Sequence, residues 1–202
     1  MATMKPRINT VLLTLILSSL WLLVWSLTHG FFMNDNLMSL LPGDFNQKYI
    51  TASLYILIVI IGSFFILPKI RKKNLTKSKL IYLYLIPLSL IAALPIHYSL
   101  TLNPAVYILM ILISCFWQDY LTFGIYQTEL SKRLRPLATI LTVATVFFLG
   151  HFIFYLDILN QQSIFSWLMI AIAGLALATI RYKTNNVYTS NVIHLSFLLL
   201  VV

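Results

Sequence analysis

Seven long apolar stretches, separated by short polar breaks, dominate this sequence of 202 residues. Each stretch is close to the roughly 20 residues that a helix needs to cross a lipid bilayer. Because lipid offers backbone amides no water partner, a spanning segment has to satisfy them internally, as a helix does. The sequence therefore predicts an all-α, polytopic transmembrane helix bundle with about seven spans. The predicted spans are residues 8–27, 50–67, 80–97, 104–127, 136–156, 163–181 and 187–202.

The composition excludes a soluble domain. Hydrophobic residues make up 60% of the sequence and charged residues only 9%, whereas soluble domains carry about 25% charged residues. The first apolar run is about twice as long as the core of a signal peptide and lacks a clear cleavage site, so we interpret it as a retained helix. Cys115 is the only cysteine, which excludes an internal disulfide and a cysteine-based metal cluster. No metal or cofactor is expected.

The basic residues predict the orientation of the bundle. With the N-terminus in the cytoplasm, every lysine and arginine except Lys48 falls in a cytoplasmic segment, as the positive-inside rule requires. Lys5, Arg7 and the cluster at residues 69–79 are part of this pattern. We interpret the cluster as a topology signal, and binding of anionic lipid headgroups is the alternative. Membrane lipid is thus an expected partner and nucleic acid is not, despite the net charge of +9.

Four polar residues lie inside otherwise apolar spans: Gln118, Asp119, His151 and His194. Ionisable groups at membrane depth are costly unless they face the protein interior or water, so they are rare and usually functional. Because these four residues lie on three different spans, we predict that they converge in one buried polar site. The alternative is that they serve only as hydrogen-bonding contacts between helices. His29 and His97 lie at predicted span ends, where interfacial exposure is expected.

Such a site has the groups needed to hydrolyse a peptide bond inside the membrane. A carboxylate beside a histidine can deprotonate a water molecule. A second histidine or an amide can donate to the oxyanion that forms on the attacked carbonyl. Two other uses stay open, since the same groups are a minimal metal-ligand set and a possible proton path.

Three sequence segments have the order and spacing of known motifs. Residues 147–151 read Phe-Phe-Leu-Gly-His, residues 118–119 read Gln-Asp, and His194 follows a polar turn and an aromatic residue within 182–194. They resemble the motifs Phe-x-x-x-His, Glu-Glu-x-x-x-Arg and His-x-x-x-Asn (or Asp) of the CPBP family, also called Abi. This family includes CaaX-processing intramembrane proteases and bacteriocin-processing or immunity proteins. The resemblance implies that 1–202 is a single transmembrane domain, with family-variable helices in 1–103 and a CPBP-like core in 104–202.

The sequence departs from these motifs where the resemblance implies catalytic groups. Gln118 stands where the family motif has a glutamate, and the resemblance implies that this glutamate is the general base. An amide cannot take a proton from water. Asp119 keeps a shorter carboxylate, Phe123 replaces the arginine and Leu198 replaces the asparagine that supports the oxyanion. Loss of one oxyanion donor costs roughly a hundred- to a thousandfold in rate. Loss of the base costs roughly a further hundred- to ten-thousandfold.

These departures favour a catalytically impaired relative that acts as a membrane scaffold or a bacteriocin-immunity factor, with a membrane protein or peptide as its partner. The alternative is an active intramembrane endopeptidase in which Asp119 serves as base, His151 holds the water and His194 supports the oxyanion. That alternative requires a rotated helix, because neighbouring helical positions point about 100° apart. A transporter is less favoured, since no repeat of matched broken helices is present. The expected location is the cell membrane, as a multi-pass protein of a bacterial plasma membrane.

Overall fold

A computed structural model describes residues 9–33, 38–75, 79–154 and 164–202 of the chain. Every regular element within these ranges is helical, which confirms the predicted all-α fold class. Lys5, Arg7, Lys77 and the predicted span ends at residues 8, 156 and 163 lie outside the described residues. The α-helices are α1 (Thr10–Ser26), α2 (His29–Met33), α3 (Phe45–Ile66), α4 (Pro68–Leu75), α5 (Leu85–Ala93), α6 (Pro104–Asp119), α7 (Gln127–Leu130), α8 (Pro136–Phe154), α9 (Ile164–Thr184) and α10 (Val187–Leu200).

Within the described residues, each predicted span coincides with helical structure, and five helical segments there are long and apolar enough to cross a membrane. These five are Phe45–Ile66, Lys79–Ile96, Pro104–Leu130, Pro136–Ile153 and Ile164–Thr184. The other two, α1 with 17 residues and α10 with 14, are shorter apolar helices. At about 1.5 Å per residue, α10 is shorter than the roughly 30 Å hydrocarbon layer. The protein is therefore a helical membrane protein, while the number of crossings and the cytoplasmic N-terminus stay predictions.

The segment from Pro104 to Leu130 forms the centre of the bundle. Within its most apolar window 61% of the residues are buried, against 11–33% in the other four long segments. Helix α6 packs against α3 and α10, and α8 packs against α9. Large apolar side chains such as Phe65, Ile66 and Leu137 are exposed on the outside, as a lipid-facing surface requires. The polar residues of the central segment are therefore enclosed by other helices.

Polar side chains fix where the helices start, at the breaks that the sequence predicts. Asn103 accepts a hydrogen bond from the backbone N–H of Ala105 at 2.9 Å and so caps α6. Asn186 caps α10 by accepting from the N–H of Tyr188 at 2.7 Å. Asp44 caps α3 through a reciprocal pair of hydrogen bonds with Gln47. These caps satisfy amides that have no partner within their own helix.

Two stretches of the bundle deviate from regular α-helix. The third predicted span, where Pro87 and Pro95 predict a kink, consists of a 3₁₀ segment (Lys79–Tyr84), α5 and a second 3₁₀ segment (Leu94–Ile96) that contains Pro95. The central segment continues after α6 as a π-helix from Tyr120 to Tyr126, where the N–H of Gln127 bonds to the carbonyl of Thr122. Helices of this type are rare and often lie at functional sites.

Candidate functional site

The last turn of α6 carries the polar pair Gln118 and Asp119, and both side chains are buried. Neighbouring helical residues point about 100° apart, and the two side chains accordingly contact different helices. Gln118 faces His151 on α8, whereas Asp119 faces His194 on α10. The structure thus arranges the four predicted site residues as two hydrogen-bonded pairs.

The first pair joins an amide to an imidazole. The side-chain nitrogen Nε2 of Gln118 lies 3.2 Å from Nε2 of His151, and Nδ1 of His151 lies 2.8 Å from the carbonyl oxygen of Phe147. A carbonyl oxygen only accepts, so Nδ1 of the ring carries the proton. The lone pair of Nε2 then accepts from the Gln118 amide. This histidine nitrogen therefore receives a hydrogen bond from a group that cannot take up a proton.

The second pair joins a carboxylate to an imidazole and has further partners. Asp119 Oδ1 lies 2.9 Å from Nδ1 of His194, and Asp119 Oδ2 accepts from Nδ2 of Asn191 at 2.9 Å. The thiol of Cys115 contacts the same Oδ2 at 3.7 Å. The hydroxyl of Tyr84 donates to Oδ1 of Asn191 and so fixes the orientation of that amide. Each oxygen of this fully buried carboxylate thus has a donor, as the cost of burying a charge requires.

Aromatic side chains surround the two pairs. The ring of Phe147 lies 4.4 Å from the His151 ring and 6.1 Å from the His194 ring, measured between centroids. Phe123, which occupies the position where the resemblance implies an arginine, packs 5.6 Å from Phe147 and is fully buried. Phe123 therefore contributes apolar packing where the resemblance implies the positive charge of an arginine.

Helix α1 covers the His151 side of the site. The ring of Trp25 lies 5.5 Å from the His151 ring and stacks on Trp21 at 4.7 Å. Gly150 permits the close approach of α1 to α8, because a β-carbon at this position would lie 2.7 Å from Cη2 of Trp21. His29, expected to be exposed, is instead buried 4.5 Å from Trp25, so that expectation was wrong. The short helix α2 folds back against α8, and this packing encloses His29 within the protein.

His97 also departs from the expected interfacial exposure. It is half-buried, and its Nε2 lies 2.9 Å from the carbonyl oxygen of Leu199 near the end of α10. Its partner is one of the last carbonyl groups of a helix, which have no partner within the helix itself. His97 therefore has a capping position and lies apart from the two pairs.

Cys115 and Asn191 belong to the site, although the sequence did not identify them. Cys115 precedes Asp119 by four residues and Asn191 precedes His194 by three, which are the spacings that place side chains on one face of a helix. Leu198, where the resemblance implies an asparagine, packs in an apolar cluster with Leu94 and Tyr107. The only amide that α10 brings to the site is therefore one turn before His194 instead of one turn after it.

A second buried polar cluster surrounds Arg181, which was predicted to lie in a cytoplasmic segment. Its side chain is 3% exposed and is therefore enclosed by the protein, while its cytoplasmic placement stays a prediction. The guanidinium donates to Asn74 Oδ1, to Thr128 Oγ1 at 3.1 Å and to Asn185 Oδ1 at 3.3 Å. Helix α9 continues to Thr184, which keeps Arg181 inside the helix and directs its side chain into the bundle.

The site thus joins α6, α8 and α10 of an all-helical membrane bundle through an amide–histidine pair and a carboxylate–histidine pair. The family model described as Type II CAAX prenyl endopeptidase Rce1-like matches residues 99–200, and the chain belongs to this family. The match includes Gln118, Asp119, His151 and His194. Comparisons with curated proteins and with solved structures give no match.

Proposed function

We propose that this member of the Rce1-like family is catalytically impaired and binds a membrane protein or peptide within the bilayer. The observation that carries the proposal is the hydrogen bond of 3.2 Å between Nε2 of Gln118 and Nε2 of His151. Gln118 stands where the family resemblance implies the general base. A water molecule at this position would meet an amide, which has no capacity to take its proton.

Asp119 is poorly placed to replace the missing base. It lies on the face of α6 that contacts α10, and its two oxygens are engaged by His194 and Asn191. The carboxylate is fully buried, so a water molecule would have to enter the contact between α6 and α10 to reach it. The positions of Phe123 and Leu198 add no polar group, because both side chains pack in apolar surroundings.

A groove between α1 and the start of α8 is a candidate contact surface for the partner. It has a volume of about 230 Å³, and its mostly apolar lining includes the threonines Thr10, Thr14 and Thr142. Small and hydroxyl-bearing residues of this kind favour close helix–helix contact in lipid. The partner would be another membrane enzyme, for which the protein is a scaffold, or a peptide bacteriocin, against which it confers immunity in a bacterial plasma membrane.

Reconstituted parent protein should not cleave a prenylated CAAX peptide or a membrane-bound peptide. We expect product no greater than in vesicles without protein, because the base and one oxyanion donor are replaced. Mass spectrometry of the peptide after incubation measures this. The variants His151→Ala and Asp119→Asn should give the same background, whereas cleavage by the parent that His151→Ala abolishes would refute the proposal.

Crosslinking in native membranes, followed by purification in mild detergent, should recover a stoichiometric membrane partner. The variant Ala138→Trp fills the groove and should reduce recovery at least tenfold, because the partner can no longer approach α8 closely. Gly62→Trp is the matched control, since a β-carbon at Gly62 meets no neighbouring atom within 4 Å. Repeated recovery of the parent protein alone would contradict the binding proposal.

One observation favours the active endopeptidase as a second candidate. A buried carboxylate beside an imidazole, as in the pair of Asp119 and His194, is a common general-base arrangement. In this case Asp119 would take the proton from water, and Asp119→Asn would abolish a cleavage that the parent performs. The peptide assay above therefore distinguishes the two candidates.

A further inference from the structure

We propose that Cys115, Asp119 and His194 form a binding site for a transition-metal ion, with Zn²⁺ as the best match. The Sγ atom of Cys115, a carboxylate oxygen of Asp119 and a ring nitrogen of His194 all lie within 4.8 Å of one another. The three residues are buried or nearly so and come from two helices, α6 and α10. This site is independent of the partner binding proposed above.

The ligand types select the metal. Thiolate, imidazole and carboxylate together are typical zinc ligands, whereas Mg²⁺ and Ca²⁺ prefer oxygen ligands alone. Tetrahedral zinc places such ligand atoms about 3.3 to 3.6 Å apart. Sγ of Cys115 lies 3.7 Å from Oδ2 of Asp119, and Nδ1 of His194 lies 2.9 Å from Oδ1 of the same carboxylate, so each separation is near this range although the two involve different oxygens. Side-chain movements of about 1 Å would accommodate the ion.

The charges also fit an ion in this environment. Binding releases the proton of the Cys115 thiol to solvent, and the proton on Nδ1 of His194 moves to Nε2, so that the ring stays neutral when Nδ1 binds the metal. One thiolate and one carboxylate then neutralise the two positive charges of Zn²⁺. A buried site in a membrane protein has to approach this neutrality, since an uncompensated charge is costly there.

Asn191 and Tyr84 provide the outer support that metal ligands commonly need. The amide nitrogen of Asn191 lies 2.9 Å from Oδ2 of Asp119 and 3.5 Å from Sγ of Cys115. It therefore orients the carboxylate and stabilises the sulfur as a thiolate. Tyr84 in turn donates to Asn191 Oδ1 and holds this amide in place. Outer partners of this kind are typically worth ten- to a hundredfold in metal affinity.

Cobalt substitution tests the site directly, because the chain has a single cysteine. We expect the purified full chain, freed of any polyhistidine tag, to bind one Co²⁺ per chain. It should then show the near-ultraviolet charge-transfer absorption of a cobalt–thiolate bond, which only Cys115 can supply. Zn²⁺ should displace the cobalt and abolish the absorption. Asn191→Ala should weaken binding by about ten- to a hundredfold.

The double variant Ser114→Cys with Cys115→Ala is the matched control. It keeps one buried thiol on α6 but turns it by about 100° away from Asp119, so the absorption should disappear. Equal absorption in this variant, or no absorption in the parent protein, overturns the proposal. The parent spectrum decides by itself, so the result does not depend on whether each variant folds.

Discussion

Replacing Asp119 with alanine is expected to lower the free energy of unfolding by about 3–5 kcal/mol, measured in detergent with a chelator present. The substitution removes the acceptor that His194 and Asn191 share, at a fully buried position. Both donors would then lie in the bundle without their carboxylate partner. Removing one member of a buried pair costs more than the pair itself contributes, because the remaining polar group stays desolvated.

Two variants serve as controls for this result. Asp119→Asn keeps the size of the side chain and one acceptor oxygen, so we expect a loss of only about 1–3 kcal/mol. Ser89→Ala changes an exposed hydroxyl that bonds within its own helix and should stay within about 0.5 kcal/mol of the parent. If Asp119→Ala unfolds like the parent protein, the buried network around the carboxylate does not stabilise the fold.

The second large effect is expected at Arg181. The variant Arg181→Ala should lower the free energy of unfolding by about 3 kcal/mol, since hydrogen bonds to a charged group contribute about 1.5–3 kcal/mol each. The guanidinium joins Asn74 of α4 to Thr128 of α7, and Asn74 also donates to the carbonyl of Gly124 at 3.2 Å. Losing the guanidinium should therefore release the basic helix α4 from the π-helical segment.

Limited trypsin digestion measures that release, because α4 carries several lysine and arginine residues. We expect cleavage within Pro68–Leu75 to accelerate at least tenfold in Arg181→Ala. Arg181→Lys should restore only part of the protection, since an ammonium cannot reproduce the planar fork of a guanidinium. Lys183→Ala, an exposed change two residues away, should behave like the parent. Equal digestion of all four proteins would show that Arg181 does not hold α4.

Much of the fold was predictable because lipid imposes strict rules on backbone and charge. The apolar runs placed the long helices to within a few residues, since a span of a given thickness needs a given length, whereas the short helices α2 and α4 lie outside the predicted spans. The polar breaks before α6 and α10 contain Asn103 and Asn186, whose side chains accept from the first free amides of these helices in the structure. The π-helix at Tyr120–Tyr126 was not predictable, because its residues fit an α-helix equally well and its form depends on tertiary packing.

The site was predictable only where a residue was unusual in its own span. His151 and His194 stand out among apolar neighbours, and the 100° rule correctly separated the directions of Gln118 and Asp119. Asn191 and Cys115 are ordinary residues within their own helices. Their part in the site becomes visible only from the tertiary contact between α6 and α10. Arg181 lies near a span end, where an exposed charge is the usual expectation. Its burial depends on Asn74, which is 107 positions earlier in the chain.

The π-helix at Tyr120–Tyr126 allows the continuous segment from Pro104 to Leu130 to contribute side chains to two polar clusters, one around Asp119 and one around Arg181. A ladder that bonds each N–H to the fifth residue before it takes up an additional residue, as a one-residue insertion would. The residues that follow are thereby re-phased: Gln127 reaches the carbonyl of Ala178 and Thr128 reaches Arg181, both on α9. Before the turn, Gln118 and Asp119 address α8 and α10 instead. Deleting one residue here would leave the helix continuous but would change the direction of the side chains after it relative to Gln118 and Asp119. The two clusters could then not form together.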